Sequence, residues 1–153
     1  MKKTKRICVD FDCVPYNATE EYNKDGIRVA HVNRDIETLC NPKDLVIPLN
    51  RIRVIYDYPL RTPTTREFIS DDKKGFTRIE LVRKLCKEYR NIYDEEEAEV
   101  RNPGMMSSPM FNRAESHGPH GIWGHDLEDL VLMRIKQCKK ASNGNEFLLE
   151  VDS

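Results

Sequence analysis

Alternating apolar and polar residues mark most of the first half of the chain. The pattern runs through residues 6–12, 27–33 and 51–58, with loop-forming Pro, Asn and Gly between the segments, and residues 64–70 can follow as the partner strand of 51–58. A period of two residues is typical of strands with one buried face. Pro48 interrupts a further short apolar piece, which favours an edge strand or a loop there. The first half therefore predicts several short strands.

The strongest local signal is a helix that begins at Arg78. Thr77 and Glu80 have the spacing of a capping box, in which each side chain satisfies a backbone N–H group at the helix start. Acidic residues crowd the far end, between 94 and 99, where the helix dipole disfavours negative charge. We interpret them as a solvated, fraying end, with a basic partner or a hard cation as alternatives. The stripe expected to face the core is Ile79, Val82, Leu85, Cys86, Tyr89, Ile92 and Tyr93.

The last third changes from irregular to alternating. Residues 101–121 are rich in Gly, Pro and Ser and have no periodicity, and such long loops are usually functional or disordered. A short helical turn after Asp126 and a strand from Val131 are expected next. Asn143 and Gly144 then predict a hairpin, because both residues tolerate a positive φ.

Length and charge fit this pattern. The chain has 153 residues and a formal net charge of -1, and it can bury a core without disulfides or metals. We therefore expect a single α+β domain over residues 1–153. It would combine a mostly antiparallel sheet of short strands, one principal helix at about 78–97, a C-terminal β-hairpin, a basic flexible N-terminus at residues 1–5 and the irregular loop at 101–121.

The cellular setting follows from what the composition lacks. No apolar stretch approaches the ~18 residues that a membrane span needs, so we expect a soluble protein that is not secreted. Five scattered cysteines favour a reducing compartment. Cys8, Cys13 and Cys40 form a weak zinc alternative, since they lack the close C-x2-C spacing. Near-neutral charge argues against nucleic acid as the primary ligand, although the basic N-terminus leaves a nucleic-acid-associated factor as an alternative.

Three histidines close to one another are the candidate metal ligands. His117, His120 and His125, followed by Asp126, lie in a Gly-rich stretch, and imidazole with carboxylate is a ligand set for zinc or iron. The spacing matches no known motif, and surface or capping histidines explain it as well. We expect no cofactor, with zinc as the alternative.

The candidate partner-binding residues lie on and beside the same loop. Met105, Met106, Met110 and Phe111 are adaptable apolar residues on a segment too polar to form its own core. Trp123, the only tryptophan, stands between two glycines and serves either as a core anchor or as a binding-surface aromatic.

Two stretches resemble a known family. They are GFTRIELVRKLCKEYRNIYDEEE and NRAESHGPHGIWGHDLEDLVL, within about residues 56–135. They resemble uncharacterised proteins of giant and other large DNA viruses of amoebae and algae, especially marseillevirus-type members. The first 50 residues lie outside the resemblance. It implies a viral protein made in an infected host, in the cytoplasmic virus factory or the nucleus, and it carries over no catalytic residues.

These observations favour a non-enzymatic viral protein that mediates protein–protein interaction in infected cells. Its partner would be a host or viral protein, with self-association as a homo-oligomer as one form, and no membrane. The alternatives are a metal-binding module or metal-dependent enzyme that uses the loop histidines, and a nucleic-acid-associated viral factor.

Overall fold

The computed structural model describes residues 6–14, 26–100, 116, 118–139 and 144–153. The strands within them are β1 (Cys8–Asp10), β2 (Ile27–Arg28), β3 (Leu45–Ile47), β4 (Arg51–Tyr56), β5 (Thr64–Ile69), β6 (Phe76–Thr77), β7 (Val131–Gln137) and β8 (Glu146–Asp152). The α-helices are α1 (Val32–Asp35) and α2 (Arg78–Val100).

One mostly antiparallel sheet organises the fold. Its strand order is β1-β7-β8-β4-β5, with β2 also paired to β7, and only β4 and β8 run parallel. β3 and β6 form a separate two-stranded sheet. The predicted α+β class and the C-terminal hairpin are confirmed, since β7 and β8 pair antiparallel across residues 138–145.

The principal helix begins at Arg78, as its sequence predicts, and runs to Val100. The Thr77 hydroxyl accepts a hydrogen bond from the Glu80 N–H at 3.3 Å, which is one half of the capping box. The other half is wrong, because the Glu80 carboxylate instead accepts from the Asp71 N–H at 2.7 Å. A carboxylate in the first turn of a helix interacts favourably with the helix dipole. The Glu80 carboxylate also bonds the turn that precedes α2.

Helix α2 covers the inner face of the sheet. Of the predicted stripe, Val82, Leu85, Cys86, Tyr89 and Ile92 are buried. The remaining two, at the ends, are partly buried against the core. The five buried residues of the stripe belong to the core cluster that also holds the buried strand residues Ile52, Val54, Tyr56, Leu132, Ile135, Phe147 and Leu149.

Buried tyrosines join helix and sheet. The Tyr56 hydroxyl donates to the Leu85 carbonyl, and the Tyr89 hydroxyl donates to the Tyr58 carbonyl, each at 2.9 Å. Burial raises the pKa of Tyr56 and Tyr89, which keeps both hydroxyls protonated as donors.

The strand predicted over residues 27–33 is mostly wrong. Only Ile27 and Arg28 extend β-structure, and the chain then turns through a 3-10 helix into α1. Buried Asp35 explains the turn, because its carboxylate accepts from the backbone N–H and the guanidinium of Arg28 at 2.6–2.9 Å. Extending the strand past Arg28 would separate this pair, and leaving a buried charge without its partner is strongly destabilising.

The outer face of the sheet carries ion pairs between strands. Arg134 bridges Asp10 at 2.8 Å and Glu150 at 3.0 Å across neighbouring strands. In the described part of the chain, no helix has an apolar stretch long enough to cross a membrane.

Candidate functional site

The structure describes Trp123 but not the loop residues proposed with it. Met105, Met106, Met110 and Phe111 lie outside the described residues, as does His117. The return of the loop, from 118 onward, is described. The candidate site lies at this segment, which we call the loop return.

Backbone hydrogen bonds fasten the loop return to the turn after β4. The N–H groups of Arg61 and Thr62 donate to the carbonyls of Gly121 and His120 at 2.9 and 3.0 Å. The Trp123 N–H donates to the Pro59 carbonyl at 3.1 Å. Segments 59–62 and 120–123 thus form a short paired ladder that fixes the main chain under Trp123.

A buried carboxylate holds the same segment from the other side. Glu96 is 2% exposed. Its Oε1 accepts from the His120 N–H at 2.8 Å. Its Oε2 accepts from the Ser116 hydroxyl, and from the N–H groups of Gly118 at 2.8 Å and Gly121 at 3.2 Å. Four donors thus converge on a single carboxylate of α2.

Hydrogen bonding keeps this carboxylate charged. Burial by itself raises the pKa of Glu96, but the bonds from Ser116 and from the backbone of His120, Gly118 and Gly121 outweigh it and lower the pKa. The close approach of the backbone to this carboxylate also accounts for the glycine at position 118, since a Cβ there would lie 2.5 Å from the Glu96 carboxyl.

The neighbouring Glu95 binds a second pair of groups. Its carboxylate accepts from the Arg66 guanidinium at 2.8 and 3.1 Å and lies 2.9 Å from His120 Nε2. The hydrogen bonds from Arg66 lower the pKa of Glu95. The interpretation of this helix end as a solvated, fraying terminus is therefore wrong for Glu95 and Glu96, whose partners lie on β5 and the loop return.

The two described histidines of the metal hypothesis have different partners. His120 is buried, and its ring contacts Glu95. The main-chain carbonyl of His125 accepts from the Tyr93 hydroxyl at 2.9 Å, and its ring lies 3.8 Å from an Asp129 oxygen. Over the residues with described positions, no group of three or more His, Cys, Asp or Glu could hold a metal ion.

Trp123 stands at the surface beside two other rings, and we call Tyr58, Trp123 and His125 the aromatic patch. Trp123 is 42% exposed, so its interpretation as a core anchor is wrong. Its ring lies 5.5 Å from Tyr58, edge to face, and 5.8 Å from His125. Such spacings are favourable for aromatic pairs. The patch is a continuous aromatic surface on a fixed backbone.

Polar groups border the patch. The Tyr58 and Ser153 hydroxyls share a hydrogen bond of 2.8 Å, and Ser153 Oγ lies 3.4 Å from His125 Nε2. Ser153 lies next to His125, and His125 lies next to Asp129, which is the order of contacts in a Ser-His-Asp catalytic triad. The 3.8 Å from His125 to Asp129 is too long for a hydrogen bond that orients the ring.

Sequence reasoning missed Glu95, Glu96 and Arg66. One signal was present, namely carboxylates at a helix C-terminus where the dipole opposes them. That signal indicates that the charges need partners, but it does not identify them.

Comparison of the chain with protein-family models, with curated proteins and with solved structures gives no match.

Proposed function

We propose that this chain is a non-enzymatic protein–protein interaction module whose contact surface is centred on the aromatic patch. The observation that carries the proposal is the exposure of Trp123, 42%, on a backbone held by hydrogen bonds from two sides. The partner is a host or viral protein. The viral resemblance of residues 56–135 supports an infected cell as the setting, in the virus factory or the nucleus.

Rigidity makes the patch suitable for binding. A large ring on a fixed backbone loses little conformational freedom on association, so more of the contact energy appears as affinity. Tryptophan and tyrosine are also the residues that most often dominate interface energetics. Glu96 contributes indirectly, because it fixes the segment that presents Trp123.

The chemistry of the patch indicates a protein partner. Its centre is aromatic, while the Tyr58 hydroxyl, the His125 ring and Ser153 supply hydrogen-bonding groups at the edge. An apolar centre with a polar rim is the usual organisation of a protein interface. A partner should therefore bring an apolar side chain onto Trp123 and polar groups onto the rim.

The test is site-specific photocrosslinking with a matched surface control. A photoreactive phenylalanine analogue replaces Trp123 in one variant and Leu148, which is 37% exposed on the sheet, in the other. Both are expressed in infected cells. We expect discrete crosslinked products from position 123 and none of the same mass from position 148.

Affinity measurements complete the test. Trp123→Ala should weaken binding of the crosslinked partner by about 30-fold or more, as expected for a central aromatic anchor, whereas Leu148→Ala should leave it unchanged. If both alanine variants bind this partner like the wild type, the patch is not the interface. A crosslink to a second copy of the chain would identify self-association as the interaction.

A further inference from the structure

A separate cavity lies between α2 and the segment that leads into α1. Its volume is about 590 Å³, within the range of small-molecule sites. It does not include any residue of the aromatic patch. The residues around it are Val29, Ala30, His31, Val32, Asn33, Arg34, Arg83, Cys86, Lys87 and Arg90.

The lining of this cavity is strongly basic. Arg83, Lys87 and Arg90 stand on one wall and Arg34 on the other, with His31 nearby. None of the lining residues, all of which are described, is acidic. The whole chain has a net charge of -1, so this concentration of positive charge is local.

Two acidic residues of α2 close to these cations in sequence have other partners. Glu88 pairs with Arg66 at 3.1 Å, and Glu80 lies 3.6 Å from Lys84. Arg83, Lys87 and Arg90 are exposed and form no ion pair within the described part of the chain. Among the described residues, no carboxylate pairs with Lys87 or Arg90 at the cavity, while Arg83 also lines a neighbouring cavity with acidic residues.

The nearest buried carboxylate does not neutralise them. Asp35 is 1% exposed, and its two oxygens are taken by the Arg28 guanidinium at 2.6 and 2.9 Å. The Arg28 guanidinium therefore neutralises the charge of Asp35. Over the described residues, the lining of the cavity therefore keeps an excess of positive charge.

The arrangement on α2 has an energetic cost in the absence of an anion. Lys87 lies four residues after Arg83 and three before Arg90, so the three cations share one helix face, about 10 Å long. Like charges at these spacings destabilise a helix. A bound anion would remove that repulsion and would bridge the helix to Arg34.

We propose that this cavity binds an organic polyphosphate of the nucleoside triphosphate type. The phosphates would contact the cations of both walls, because guanidinium and ammonium groups are the usual phosphate ligands of proteins. The uncharged part would lie against Val29 and Val32, the apolar side chains of the same lining.

The shape favours a compact ligand over a nucleic acid strand. The cations come from two elements, α2 and α1, and line one concavity. The outer face of the sheet carries paired charges, and the net charge is near neutral, so the long basic footprint of a nucleic-acid-binding protein is missing from the described surface.

Calorimetric titration of the whole chain tests the proposal with three probes: ATP, inorganic tripolyphosphate and a single-stranded RNA oligonucleotide. The test variant is Lys87→Gln with Arg90→Gln. The control is Lys73→Gln with Lys74→Gln, which removes the same charge from an exposed turn. Arg83 is kept, because it also lines a second cavity beside Asp71, Asp72 and Glu80.

We expect ATP and tripolyphosphate to bind in a one-to-one ratio, with ATP the tighter of the two. The test variant should bind both at least about tenfold more weakly and the control should bind like the wild type. ATP should raise the melting temperature of the wild type and the control but not of the test variant, whose unliganded stability should be equal or slightly higher.

Several results would overturn the proposal. They are the absence of ATP binding at about millimolar concentration, equal losses in the test and control variants, or tight salt-sensitive binding of RNA without binding of tripolyphosphate. The last result would identify a nucleic acid contact in place of a small-ligand pocket.

Discussion

Replacing Glu96 with glutamine perturbs one atom of a buried carboxylate that receives four hydrogen bonds. In the wild type, Oε1 accepts from His120 and Oε2 accepts from Ser116, Gly118 and Gly121. Glutamine has nearly the same shape, but one oxygen becomes an NH2 group. Wherever that group lies, it faces at least one backbone N–H, and two donors cannot bond.

The expected cost follows from these four contacts. If the amide nitrogen takes the position of Oε1, the bond from His120 is lost, and a hydrogen bond to a charged group contributes about 1.5–3 kcal/mol. The three bonds on the other oxygen become neutral, which weakens each by roughly 0.5 kcal/mol. The free energy of unfolding should therefore fall by about 3–4.5 kcal/mol, which for a chain of this size lowers the melting temperature by about 10 °C.

Thermal melting followed by circular dichroism measures the effect, with Asp94→Asn as the matched control. Asp94 is exposed on the same helix, and its replacement makes the same change of charge. The control should stay within about 0.5 kcal/mol of the wild type. Equal melting temperatures for Glu96→Gln and Asp94→Asn would refute the role assigned to the four hydrogen bonds.

Acid pH, an added Cβ at two glycines and the loss of the Thr77 hydroxyl should each change the stability of the fold. Because the pKa of Glu96 is lower in the folded chain, its stabilisation is complete above the unfolded value of about 4.3 and is lost as pH falls through the folded value; the melting difference between wild type and Glu96→Gln should narrow in acid, and a constant difference would contradict this. Gly118→Ala should destabilise the fold because a Cβ there would lie 2.5 Å from the Glu96 carboxyl, and Gly144→Ala should destabilise it for a different reason, since the φ of +72° at Gly144 is strained for alanine, as paired melts would show. Thr77→Ala should cost about 1 kcal/mol in urea unfolding and Thr77→Ser much less, because the hydroxyl that accepts the Glu80 N–H is removed only in the alanine variant.

Local pattern was sufficient for the elements whose burial repeats regularly. The start of α2 at Arg78 follows from the capping spacing of Thr77 and Glu80, its buried stripe follows from a spacing of three and four residues, and β4 follows from alternation. These periodicities report directly which face of an element leaves water. The hairpin of β7 and β8 likewise follows from a turn signal between two alternating segments. Alternation failed over residues 29–33, where a turn toward Asp35 buries Val29 without a strand.

The charged positions were decided by tertiary structure. The donors to Glu96 are at least 20 residues away in the sequence. Glu95 pairs with Arg66 on β5, and Lys87 and Arg34 line the same cavity. Nothing in the local spacing of an acidic or basic residue states which distant group will lie beside it. The energy of a charge depends on its distance to other charges and on the surrounding water, and both quantities exist only once the chain has folded.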